Sequence, residues 1–89
     1  MAWRIELSNS AEASLSRLDS TIQQRIGKFF DRLVTRPDPR SPGKALTGPL
    51  GVYWSYRVGD YRVLCDIHDN VLVVEVIRIG HRREVYRIV

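Results

Sequence analysis

Near its C-terminus the chain runs Ile79-Gly80-His81-Arg82-Arg83-Glu84-Val85-Tyr86-Arg87, which packs a histidine, three arginines and a tyrosine into seven residues. Arginine donates in a planar fork that matches a phosphate, histidine exchanges protons near neutral pH, and tyrosine exchanges a proton or stacks on a base. Together these groups suit a phosphodiester and, joined by Arg57 and Arg62, cleavage of RNA by its own 2′-hydroxyl. That reaction needs a base for the 2′-OH, an acid for the departing 5′-oxygen and cations for the charge that builds on phosphorus. The nucleophile belongs to the RNA, so no serine, cysteine, metal or other cofactor is required.

Each residue also has a plainer reading. His81 can be an ordinary exposed histidine, Tyr86 can anchor the tail in the core, and Arg62 can be a structural partner of Glu75 or Asp66. Asp66 and His68 offer two metal ligands with no third in view, so no metal site is expected. Arg25, Lys28 and Arg32 read as the solvated face of a helix, and Cys65 as inert core.

At 89 residues the chain is read as one domain spanning 1–89, with room for one sheet and one helical layer. The single cysteine excludes an internal disulfide and fits a reducing cytoplasm. The first residues lack a signal-peptide pattern, and the longest apolar stretch, Val71–Ile79, is broken by Glu75 and Arg78, so no membrane association is expected. The net charge is +4, and of the fourteen basic residues only Lys28 and Lys44 are lysine. That balance is consistent with a nucleic-acid partner without proving one.

The elements that must position the reactive groups follow from periodicity. Trp3-Arg4-Ile5-Glu6-Leu7 alternates as a half-buried strand with Trp3, Ile5 and Leu7 inward. Asn9 with Glu12, and Ser20 with Gln23, have capping-box spacing, and they open two helices with inner faces Ala11/Leu15/Leu18 and Ile22/Ile26/Phe29/Phe30/Leu33. Thr35–Gly51 holds all four prolines and reads as an irregular loop. Strands Val52–Val58, Tyr61–His68 and Val71–Ile79 follow, with turns at Gly59-Asp60 and Asp69-Asn70. The fold class is α+β: an N-terminal strand, an αα-hairpin and a three-stranded antiparallel meander, β-α-α-β-β-β, with the helices on one face.

If both turns are two-residue loops, Tyr61 pairs with Val58 and with Arg78. One sheet face is then apolar and meets the helices. The other carries Tyr53, Ser55, Arg57, Arg62, Leu64, Asp66, His68, Glu75 and Ile77. On that face Arg57 and Arg62 lie directly opposite one another, and like charges so placed repel. Such a pair points to an anionic ligand, although Glu75 can offset part of the cost. Gly80 lets the tail fold back over this face, which would bring Arg57, Arg62, His81, Arg82, Arg83 and Tyr86 together. Tyr53 offers a stacking surface, and Lys44 and Arg87 add cations for binding RNA.

Three segments carry a family resemblance: Leu50-Gly51-Val52-Tyr53-Trp54, Arg57-Val58-Gly59-Asp60-Tyr61-Arg62-Val63, and Val76-Ile77-Arg78-Ile79-Gly80-His81-Arg82-Arg83-Glu84-Val85-Tyr86. In their order and spacing the chain resembles a RelE-type toxin of the RelE/ParE superfamily, over essentially its whole length. The resemblance implies a toxin of a bacterial toxin–antitoxin module that cuts messenger RNA in the ribosomal A site, without a metal, and so inhibits translation. It implies a separate RelB-like antitoxin chain that blocks the active surface, and contact with operator DNA only through that complex. By position, Arg62 matches the family's catalytic arginine, Arg82 or Arg83 the second arginine, and Tyr86 the C-terminal tyrosine. The best-studied type has two lysines on the strand before the hairpin, where this chain has Ser55 and Arg57, so the general base stays open, with His81 a candidate for part of that role. Two alternatives remain: a ParE-like toxin that binds DNA gyrase without nuclease chemistry, and a toxin remnant that serves operon control.

Overall fold

In the computed structural model, residues 3–46 and 53–81 are described. Strand β1 (Arg4–Leu7) is followed by helices α1 (Asn9–Ser16) and α2 (Ser20–Leu33), a short strand β2 (Lys44–Ala45), then β3 (Trp54–Val58), β4 (Tyr61–His68) and β5 (Val73–His81). The strands form one mixed sheet in the order β1-β5-β4-β3-β2, with β1 parallel to β5 and the other pairs antiparallel. The α+β class and the meander are as expected. No helix among the described residues is long and apolar enough to cross a membrane.

Both helices start one residue earlier than the capping-box spacing suggests. Ser8, not Asn9, caps α1, its Oγ accepting from the Ala11 amide at 3.0 Å. Asp19, not Ser20, caps α2 through the Thr21 amide at 3.1 Å. Gln23 does not reach back to its own cap; its amide donates to the carbonyls of Leu18 and Ser16 and so closes the end of α1 and the turn after it. Ile26, Phe30 and Leu33 then press the apolar face of α2 onto the sheet, where Tyr56, Val58, Val63, Cys65, Val74, Val76 and Ile79 complete the core. Burial raises the Cys65 thiol far above its ordinary range, which fits an inert core cysteine.

The stretch read as wholly irregular contains β2, a two-residue edge strand paired with β3 through Lys44–Ser55 and Ala45–Trp54. Three aromatic side chains hold the segment before it. Trp3 Nε1 donates to the Pro37 carbonyl, the Tyr56 hydroxyl to Pro39 at 2.6 Å and Trp54 Nε1 to Arg40 at 2.9 Å. Proline-rich chain has few amides of its own with which to join a sheet, so these side chains fix it by its carbonyls instead. Gly43 lies so close to the Trp54 ring that a Cβ there would be 2.6 Å from Nε1.

The Gly59-Asp60 turn is the two-residue loop expected, with Gly59 at φ +60° and Val58 opposite Tyr61. The next turn is not. It runs over residues 69–72, with Leu72 at φ 55°, and His68 pairs with Val73. Further along, Cys65 faces Val76 while Leu64 faces Arg78, so Ile77 is the extra residue of a β-bulge. The carbonyl that the bulge sets aside accepts a 2.8 Å bond from Ser8 Oγ, which ties the α1 cap to β5. Tyr61 therefore pairs with His81 rather than Arg78. The longer turn moves the register by two and keeps the faces. The bulge moves it by one more and exchanges them beyond Ile77. Ile79 accordingly sits in the core at 3% exposure.

Candidate active site

The face of the sheet turned away from the helices is built by alternation from Ser55 and Arg57 on β3, Arg62, Leu64, Asp66 and His68 on β4, and Glu75 on β5. Arg57 and Arg62 stand directly opposite each other, as the hairpin register requires. Arg57 is exposed and Arg62 half-buried. Arg57 Nε donates to the Gly59 carbonyl at 3.2 Å, and Arg62 Nη1 makes a long 3.5 Å contact with the carbonyl of Tyr61. Among the described residues no carboxylate forms an ion pair with either guanidinium or with Lys44.

The plainer reading of Arg62, as a partner of Glu75 or Asp66, is therefore not what the structure contains. Glu75 is opposite Asp66 and bonds His68 at 3.0 Å. It is too far along the strand to offset the arginine pair.

Lys44 joins the two arginines. Its partner across β2–β3 is Ser55, and an open cavity of about 340 Å³ is lined by Gly43, Lys44, Leu46, Ser55, Arg57 and Arg62 among others. Ser55 is almost fully buried at 8% exposure, and Leu64, on the same face, is completely buried. This floor of the face is thus closed, with three cations around its rim. Tyr53, half-buried just before β3, is tied to Leu46 through its carbonyl.

His81 is placed elsewhere. The bulge exchange puts it on the helix side with Tyr61, their rings 6.0 Å apart and edge-on, in a second groove with Ser14, Arg17 and Leu18. The expected fold-back at Gly80 does not bring His81 to Arg57 and Arg62, because β5 continues through Gly80 to His81. Arg82, Arg83, Tyr86 and Arg87 lie outside the described residues.

At the other end of the same face Asp66, His68 and Glu75 come together, which the sequence register did not foresee. With the turn read two residues too short, Glu75 falls opposite Leu64 instead of Asp66. Glu75, as a direct hydrogen-bond partner, and then Asp66, hold the His68 imidazolium above its ordinary range. Near this corner Arg40 grips Asp69 with both terminal guanidinium nitrogens, at 3.0 and 2.6 Å, and holds that carboxyl below its ordinary value of 3.8.

Comparison with known proteins bears on the whole chain. The family model described as the ParE toxin of the type II toxin-antitoxin system, parDE, matches residues 5–86. Toxin RelG of Mycobacterium tuberculosis is 30% identical over 87 residues, covering 98% of this chain and 99% of that protein. Among solved structures, the toxin–antitoxin complex RelBE2 of M. tuberculosis superposes with a TM-score of 0.83 at 29% identity, over 92% of this chain and 100% of that one. The RelE–RelB complex of Pyrococcus horikoshii gives a TM-score of 0.73 at 25% identity, over 94% and 99%.

Proposed function

The chain belongs to the ParE toxin family of type II toxin–antitoxin systems, within the RelE/ParE superfamily, and we propose that it acts as a metal-independent, ribosome-dependent endoribonuclease on messenger RNA. The observation that carries this reading is the trio Lys44, Arg57 and Arg62 around one cavity, with no carboxylate paired to any of them among the described residues. A closed floor with a cationic rim suits a phosphodiester. The fold tolerates the arginine–arginine repulsion most readily if an anion sits between them.

In the proposed step the RNA 2′-oxygen attacks phosphorus, the P–O5′ bond breaks, and a cyclic 2′,3′-phosphate and a 5′-hydroxyl result. Arg62 and Arg57 hold the non-bridging oxygens as negative charge grows on them. Lys44 provides the cation that Ser55, directly opposite it, does not. Proton transfer falls to the terminal run, where Tyr86 and one of Arg82 and Arg83 complete the set, with Arg87 and Tyr53 contacting the RNA. His81, across the sheet from Arg62, serves best at the root of that run, where its ring meets Tyr61. His81→Gln, followed by the rate–pH profile, tests any share it takes in proton transfer.

A RelB-like antitoxin is the proposed partner, because the solved relatives named above are toxin–antitoxin complexes. The matching family model bears the ParE name, which favours, as a second reading, a toxin that binds gyrase. The two separate cleanly when the purified protein is added in parallel to a reconstituted translation reaction and to a gyrase supercoiling assay. Broken mRNA with normal supercoiling supports the nuclease. Intact mRNA with blocked supercoiling refutes it in favour of the gyrase reading.

A further inference from the structure

We propose that Asp66, His68 and Glu75 form a binding site for a divalent transition-metal cation, at the end of the far sheet face remote from the Lys44–Arg57–Arg62 cavity. One imidazole nitrogen and one oxygen from each carboxylate all lie within 4.8 Å of one another. His68 Nε2 is 3.0 Å from Glu75 Oε1 and 3.7 Å from Asp66 Oδ2. Ligands that share a cation at about 2.0–2.2 Å stand roughly 3–3.5 Å apart, so these donors need only small side-chain rotations to converge.

The backbone beneath them is a ladder rather than a loop. Asp66 and Glu75 are cross-strand partners on β4 and β5, and His68 is two residues along on the same face. Glu6 on β1 stands opposite Glu75 in turn, so three carboxylates cross three neighbouring strands in a row. Like charges directly opposite one another destabilise a sheet. Arg4 answers Glu6 at 3.1 Å, but no arginine or lysine among the described residues pairs with Asp66 or Glu75. A single imidazole stands between two carboxylates, and a dication in the same place would neutralise both.

The donor set selects the class of ion. Magnesium and calcium prefer oxygen alone, whereas an imidazole with two carboxylates suits zinc, cobalt or nickel. The three side chains are 37–40% exposed, so the remaining coordination positions open to water. With the ion bound, the anionic end of the face would become nearly neutral, and the face as a whole more welcoming to a polyanion.

Untagged protein in chelator-free buffer is titrated with Zn2+ by calorimetry and with Co2+ by visible absorption. The expected result is one equivalent per chain, a cobalt ligand-field band, and at least a tenfold loss of affinity (the scale of losing even an outer partner of a metal ligand) in His68→Gln, Glu75→Gln and Asp66→Asn. The carboxylate variants keep side-chain shape while relieving repulsion, so they should remain folded by circular dichroism. His81→Gln should leave the isotherm unchanged. Failure to saturate at one equivalent, or unaltered binding in the Asp66→Asn/Glu75→Gln double variant, would overturn the site.

Discussion

Two guanidiniums facing each other across a hairpin repel, and Arg57 and Arg62 keep that arrangement with no carboxylate paired to either among the described residues. If the pair exists to hold an anion, removing one member should harm activity and not stability. Arg62→Ala is expected to slow RNA cleavage by about 10²–10³-fold, the cost of deleting one transition-state donor. Its melting temperature should stay level or rise slightly as repulsion is relieved. A large fall in melting temperature would instead give Arg62 a structural role. Asp69 makes a pH prediction of definite sign. Its folded pKa is depressed by Arg40, so its contribution to stability is fully present above 3.8 and is lost as the pH falls through the lower folded value. Asp69→Asn should flatten that part of the acid-denaturation curve, slightly, because the pair is exposed and solvent-screened.

At the scale of elements, the segment from Pro37 to Lys44 decides where the third cation stands, and side chains from β3 hold it. Tyr56→Phe strands the Pro39 carbonyl in a buried setting and should cost about 1–3 kcal/mol in chemical denaturation. Gly43→Ala must push the Trp54 ring aside, break its bond to Arg40 and move β2. The expected readout is a shifted tryptophan emission together with weaker RNA binding. The hairpin that places Arg57 against Arg62 was legible in the sequence, because Gly59 supplies the positive φ that a two-residue turn needs. The β4–β5 register was not. Asp69-Asn70 looks like the same signal, but the turn continues to Leu72, a residue that seldom takes positive φ. The bulge at Ile77 answers to Ser8, 69 residues away in sequence, a tertiary bond with no local trace. Strand β2 escaped notice because two residues carry no periodicity.

Over the whole molecule the far face is bipolar, with Lys44, Arg57 and Arg62 at one end and Glu6, Asp66 and Glu75 at the other. A net charge of +4 conceals this division. Of the three cations around the cavity, alternation alone gives two, the arginine pair. Lys44 is a cation the sequence offers for RNA, but its place opposite Ser55 depends on the β2–β3 pairing. Gly80 suggests a chain reversal before His81, but the strand continues through both residues, and the bulge turns His81 to the helix side. Family membership makes the protein a type II toxin of the RelE/ParE superfamily, and the cavity chemistry adds the proposed nuclease action. The most direct test maps mRNA ends on programmed ribosomes after addition of wild-type protein or folded Arg62→Ala. Breaks confined to the A-site codon are expected with wild type, and breaks at least about a hundredfold slower with the variant. Intact mRNA with wild type, or equal cleavage by both proteins, would contradict the proposed nuclease action.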